Sequence, residues 1–248
     1  MKQTTNLLLT ALAPIIWGST YLVTTELLPH GYPLTVSMLR ALPAGLLLLL
    51  WVRKLPTGHW WIKVFTLGAL NFAFFWWLLF IAAYRLPGGV AATVGSIQPI
   101  IVIILSKVML RSNIRFISVT AALLGVFGVA LLILTPQATL DPVGLIAGLA
   151  SAVCMGAGTV LTRKWKPPVS LLTFTSWQLT AGGLLLLPMA LWLEPALPNV
   201  TLGNVFGFTY LSLIGAALTY IIWFRSIEKF EPSIIAPLGF LSPLTAVI

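Results

Sequence analysis

The stretch "LLLTALAPIIWGSTYLV", Leu7 to Val23, and the runs like it decide what this chain can become. A segment of about 20 apolar residues is long enough to span the hydrocarbon core of a bilayer, where each backbone N–H and C=O must be satisfied inside the protein. An α-helix does that within one segment. Cut at its charges, prolines and glycines, the sequence yields nine such runs, approximately 7–28, 33–52, 63–84, 88–109, 114–135, 143–162, 169–193, 204–224 and 232–248. A mean hydropathy of +1.03 with 8% charged residues agrees, since soluble domains carry about a quarter. The expectation is an all-α polytopic membrane protein in the lipid bilayer, its short loops making neighbouring helices antiparallel. The first run continues without a small-residue cleavage site, so it reads as a helix rather than a signal peptide.

The net charge of +9 would suggest nucleic acid in a soluble chain; here it sets orientation, and no nucleic-acid partner is expected. With a cytoplasmic N-terminus, twelve basic residues fall inside: Lys2, Arg53, Lys54, Lys63, Lys107, Arg111, Arg115, Arg163, Lys164, Lys166, Arg225 and Lys229. Only Arg85 falls outside, and Arg40 lies within a helix. Cys154 stands alone, and His30 and His59 lie in loops without metal-ligand spacing, so no catalytic residue, metal or cofactor is expected. An intramembrane enzyme needs a nucleophile and base within reach, and no such pair is legible. A non-transport scaffold or sensor is the other alternative.

Sliding the chain along itself shows a repeat. At 138 positions, Gly18 meets Gly156, Arg40 meets Gln178 and Gly45 meets Gly183; at 144 positions, "LGALNFAFFWWLLF" meets "LSLIGAALTYIIWF", and Gly95 and Pro99 meet Gly239 and Pro243. A shift of five helices reverses the sense of insertion, which predicts an inverted repeat of two five-helix bundles. The units are 1–137 and 138–248, the second incomplete: the counterpart of helix five is absent, leaving about nine helices of a ten-helix architecture.

The motifs "WGSTYLV", "SMLRALPAG", "AATVGSIQPIIVIIL" and "LLGVFGVALLIL", in this order, together with the weaker second copy, resemble the EamA family of the drug/metabolite transporter superfamily across essentially the whole chain. The resemblance implies a central cavity, alternating access and a bacterial-type inner-membrane carrier that exports small molecules such as amino acids, related metabolites or toxic compounds. The family often has Glu-Arg just after helix four, where "MLRSNIRF" has Arg111 and no acid.

Candidate substrate-binding residues follow from cost and placement. Arg40 is the clear intramembrane charge; it can receive a carboxylate, snorkel outward, or pair with helix carbonyls or Glu26. Trp17, Tyr21 and Tyr220 are aromatics at or near repeat-related positions, and Asn71 and Phe75 share a helical face. Ser96, Gln98 and Ser242 stand beside the prolines, and Gln178 is the counterpart of Arg40. Gly95, Pro99, Gly239 and Pro243 form matching G-x-x-x-P sequences that read as hinges or as packing bends. Trp51, Trp60, Trp61 and Trp192 read as interfacial anchors. The stripe Gly144, Gly148, Ala152, Gly156 lets a second helix approach closely, as an intramolecular seam or, less favoured, a homodimer contact.

Overall fold

Each apolar run forms a helix, and the helices end where the sequence supplies a stop. The computed structural model describes residues 2–114, 116–133 and 141–246. Among the described residues the helices are α1 (Lys2–Leu27), α2 (Pro33–Val52), α3 (Trp60–Arg85), α4 (Gly88–Gly95 continuing as Gln98–Leu110), α5 (Phe116–Ile133), α6 (Pro142–Trp165), α7 (Leu171–Leu193), α8 (Leu202–Lys229) and α9 (Pro232–Ala246), nine in all. There is no strand among the described residues. Six of the helices, α1, α2, α3, α6, α7 and α8, are long and apolar enough to cross a membrane. Leu22, Trp51, Phe116, Trp192 and Leu202 are exposed on the outside of the bundle, as lipid-facing side chains must be.

The ends of the bundle differ in chemistry. At one, α2, α4 and α6 terminate in left-handed residues that are all basic: Arg53 (φ 49°), Arg111 (φ 55°) and Lys166 (φ 43°). A cation there complements the negative end of the helix dipole. At this end Arg163 donates to the carbonyls of Ile227 and Glu228, and Arg225 to Asn6 at 2.9 Å. At the other end the caps are acidic or polar. Glu194, just past α7, accepts from the backbone N–H groups of Leu34 (2.6 Å) and Thr35 (2.7 Å) and so caps α2. Asp141 caps α6 through Gly144 (2.8 Å) and pairs with Arg85 at 3.1 Å. Asn204, in the capping box of α8, donates to the Leu27 carbonyl at 2.8 Å.

Close approach between helices is bought by glycine. α2 packs against α7 so tightly that a Cβ on Gly45 would lie 2.7 Å from Thr180 Oγ1, and one on Gly183 would lie 2.6 Å from Leu42 Cβ. The stripe on α6 meets the first half of the chain: Gly144 faces Leu86, Gly148 faces Val94 and Gly156 faces Ile101. That makes it an intramolecular seam. Gly18 on α1 meets Ser242 and Thr245 of α9 in the same manner. These contacts come in exchanged pairs. Gly45 with Thr180 becomes Gly183 with Leu42 when each residue is replaced by its counterpart 138 positions away. Gly18 with Thr245 becomes Gly156 with Ile101, using 138 for the glycine and 144 for its partner.

Four helices depart from uniform α geometry in matching ways. α3 widens to a π-helix at Ala69–Ala73 and α8 at Tyr210–Leu218. α4 is interrupted by a turn at 96–97, and α9 tightens to a 3-10 helix at Ala236–Phe240. Proline cannot donate to the carbonyl four residues back, so Pro99 forbids a continuous ladder at the first of these. Trp60 departs from the anchor role expected of it: it is only 8% exposed and meets Phe174 edge-on at 6.5 Å. Trp51 and Trp192 are more than 80% exposed, as anchors are.

Candidate functional site

A central cavity lies where the interrupted helices meet. α1 contributes Trp17, Thr20 and Tyr21; α2 contributes Arg40; α3 contributes Phe75, Trp76 and Leu79. The break in α4 brings Gly95, Ser96, Gln98 and Pro99, and α6 brings Ser151, Ala152 and Met155. α8 and α9 complete the wall with Tyr220, Trp223, Ala236, Gly239 and Ser242. A Cβ added at Gly95 or Gly239 would meet nothing within 4 Å, so both glycines border open space.

Arg40 is the one charged side chain among the lining residues. It is 2% exposed, and its guanidinium carbon sits 4.4 Å from the centroid of the Trp76 ring. Nη2 donates to the Gly215 carbonyl at 2.8 Å and to Thr20 Oγ1 at 3.3 Å, whereas Nε and Nη1 have no partner among the described residues. Of the alternatives open at the sequence level, the carbonyl bond is therefore present. Neither snorkelling nor a Glu26 pair is: the ion pair among the described residues is Arg85 with Asp141. The carbonyl belongs to the π-helical part of α8, whose wider turn frees it from the ordinary ladder, and Thr219 Oγ1 also donates to it at 2.9 Å. A buried cation with two idle donors carries a desolvation cost that only further partners can offset.

Rings form the remainder of the wall. Tyr220 stands among Trp17 (centroids 5.1 Å), Trp76 (5.8 Å), Phe72 (4.5 Å) and Phe224 (5.6 Å). Trp17 Nε1 donates to Thr219 Oγ1 at 2.9 Å and meets Trp223 edge-on at 5.2 Å. A second cavity opens at the basic end and is lined by Arg163, Lys166, Phe174, Phe224 and their neighbours. Phe224 borders this chamber and Tyr220 the central one, so the two ring planes stand between them.

Of the candidate residues, Trp17, Tyr21, Arg40, Phe75, Ser96, Gln98, Tyr220 and Ser242 line the central cavity, as do Gly95, Pro99 and Gly239. Asn71 and Gln178 lie off its wall, fully buried, with Asn71 Nδ2 donating to Gln178 Oε1 at 2.7 Å. Pro243 lies in α9, and its side chain falls outside the described residues. Trp76 lines the cavity without having been singled out, although it is the 144-position counterpart of Tyr220. Thr20, Ser151, Met155 and Trp223 carry no periodic or polar signal that sets them apart.

Residues 4–134 and 142–248 match the model of the EamA-like transporter family. Protein PecM of Dickeya dadantii is 48% identical over 95% of this chain and 80% of its own length. The uncharacterized transporter YvbV of Bacillus subtilis is 26% identical over 100% of this chain and 83% of its own, and the uncharacterized inner membrane transporter YedA of Escherichia coli is 24% identical over 94% and 78%. A protein of known crystal structure superposes with a TM-score of 0.79 at 17% identity, over 98% of this chain and 86% of that one; at that identity the likeness is one of fold.

Proposed function

The chain belongs to the EamA-like transporter family, and from that premise we propose that it is a secondary carrier which moves small metabolites or toxic organic molecules out of the cell by alternating access around the central cavity. The observation that carries this reading is the exchange of contacts between the two halves of the chain. Gly45 with Thr180 and Gly183 with Leu42, like Gly18 with Thr245 and Gly156 with Ile101, are what two halves of inverted topology bring together across a pseudo-two-fold axis. Such halves can trade conformations, and the cavity then faces one side and the other in turn. Units 1–137 and 138–248 are the halves in question. The second chamber at the basic end supports a route through the bundle, closed by the Tyr220 and Phe224 rings.

Orientation follows the basic residues, which puts the end bearing Arg53, Arg111 and Lys166 in the cytoplasm of a bacterial-type cell and the protein in its inner membrane. No ATP-binding loop is legible, so a gradient or exchange drives the cycle. Two measurements test the proposal. Cysteines at Lys54 and Arg163 should be labelled from the cytoplasmic side alone, and one at Asp141 from outside alone; labelling at Asp141 from inside refutes the inverted arrangement. Proteoliposomes should take up and release members of a labelled metabolite panel, with and without a pH gradient, and inactivity towards the whole panel refutes carriage.

A further inference from the structure

We infer that the central cavity is a receptor for small organic monoanions, in which Arg40 and the Gln98 amide, both on its wall, grip a single carboxylate while the surrounding rings hold its apolar body. The inference rests on the carrier reading and names the substrate class that reading leaves open. Three independent observations meet here. Arg40 is buried and has two donor nitrogens, Nε and Nη1, without partners among the described residues. Gln98 lies on the same wall beside the break in α4, and its side-chain amide can donate to a carboxylate oxygen. Gly95 and Gly239 border open space, which leaves room for an occupant.

The charge type follows from the lining. Among the described residues of the lining Arg40 is the sole charged side chain, so a second positive charge on the ligand finds no carboxylate to pair with. An ammonium group meets only neutral acceptors and ring faces there, and Arg40, which covers Trp76 at 4.4 Å, repels it. A zwitterion therefore gains on its carboxylate and loses on its ammonium, whereas a monoanion gains only. A dianion exceeds the one full charge available. The tilted rings of Trp17, Tyr220 and Trp223 supply an apolar wall that a hydrocarbon or aromatic body fills.

The test uses three ligands that share one body and differ in charge: phenylacetate, phenylalanine and phenethylamine. Calorimetric titration of the purified full chain should show phenylacetate binding at least ~10-fold more tightly than either of the others. Arg40→Gln should weaken phenylacetate by ~10-fold or more and leave phenethylamine unchanged, with Arg40→Lys in between. Should Arg40→Gln fail to fold, Gln98→Glu supplies the second arm. It sets a carboxylate at the helix start and should remove phenylacetate binding. Equal affinities for the three ligands, no saturable binding of phenylacetate, or an unchanged affinity in Gln98→Glu overturns the inference. Counterflow in proteoliposomes separates the two readings. Phenylacetate that binds with this preference but is never moved leaves the receptor standing and defeats carriage. Phenethylamine moved as fast as phenylacetate leaves carriage standing and defeats the receptor.

Discussion

Arg40 donates to the Gly215 carbonyl at 2.8 Å, and that bond has a twin. The counterpart of Arg40, 138 positions on, is Gln178; the counterpart of Gly215, 144 positions back, is Asn71. Those two residues are bonded to each other at 2.7 Å. Each link ties α2 or α7 to the π-helical stretch of the helix it packs against. One copy is ionic and borders the cavity; the other is a neutral amide pair sealed inside the bundle.

The neutral copy should behave as a clamp. Gln178→Leu leaves the Asn71 amide only its long 3.5 Å bond to Thr162 Oγ1, Asn71→Leu removes the 2.7 Å donor from Gln178 Oε1, and side-chain hydrogen bonds between membrane helices are worth about 0.6 to 2 kcal/mol. Each single variant should lose about 1 kcal/mol of stability, and the double variant should lose less than the sum. Reversible unfolding in mixed micelles reads the cycle. Strict additivity would mean that the two amides do not cooperate.

The glycines divide into two kinds by what surrounds them. Gly45→Ala and Gly183→Ala drive a methyl group into the α2–α7 contact, where there is no slack, and each should cost about 1 to 3 kcal/mol. Gly95→Ala and Gly239→Ala place a methyl in open space, so folding should survive. Thermal melts that rank the four the other way would contradict the packing described for α2 and α7.

The prolines test the hinge reading of α4 and α9. Pro99→Ala restores a backbone donor beside the break at 96–97 and should straighten α4, giving a folded protein that changes facing state more slowly. Pro243→Ala should slow the same cycle while favouring the opposite facing state. The check is the rate of counterflow together with thiol accessibility of cysteines placed at Gln98 and Ser242. Parent rates in both variants, with neither cysteine protected by substrate, would reduce the prolines to packing features.

Asp141 gives a pH dependence with a definite sign. The Gly144 N–H first, and the Arg85 guanidinium after it, hold its carboxyl below the usual range. A depressed folded pKa means that the cap contributes above the unfolded value, near 4, and is lost as pH falls through the folded value. The protection of the Gly144 amide against hydrogen exchange, measured relative to its intrinsic rate, should therefore fall in acid below about pH 4, and Asp141→Asn should remove most of that dependence. An amide that exchanges identically in both proteins across this range would show that the cap does not govern this end of α6.

Helix positions were legible because a bilayer-spanning run leaves a long one-dimensional trace that any charge or proline interrupts. Arg40, Pro99 and Gln98 were legible for the same reason, each being costly in its place. Asn71 and Gln178 were equally conspicuous, but their polarity is answered by each other rather than by the cavity. Their helices lie far apart along the chain, and a sequence does not print which of two faces a partner occupies. Trp60 shows the same gap: it sits at a helix start like an anchor, yet Phe174 covers it. The π-helical stretches leave no signature either, since one extra residue in a turn changes a phase and not a composition.

That phase reaches well beyond the wide turns themselves. In an α-helix one residue turns the chain by about 100°. Deleting a single residue from Tyr210–Leu218, for example Ile214, would let α8 relax to regular geometry while swinging everything after it by that angle. Tyr220 and Trp223 would leave the cavity, and Arg40 would lose the released carbonyl that steadies it. The aim of the cavity's rings is thus set upstream of them, by a surplus residue that works like a shim beneath a bearing, and its effect is felt two turns away from where it is inserted.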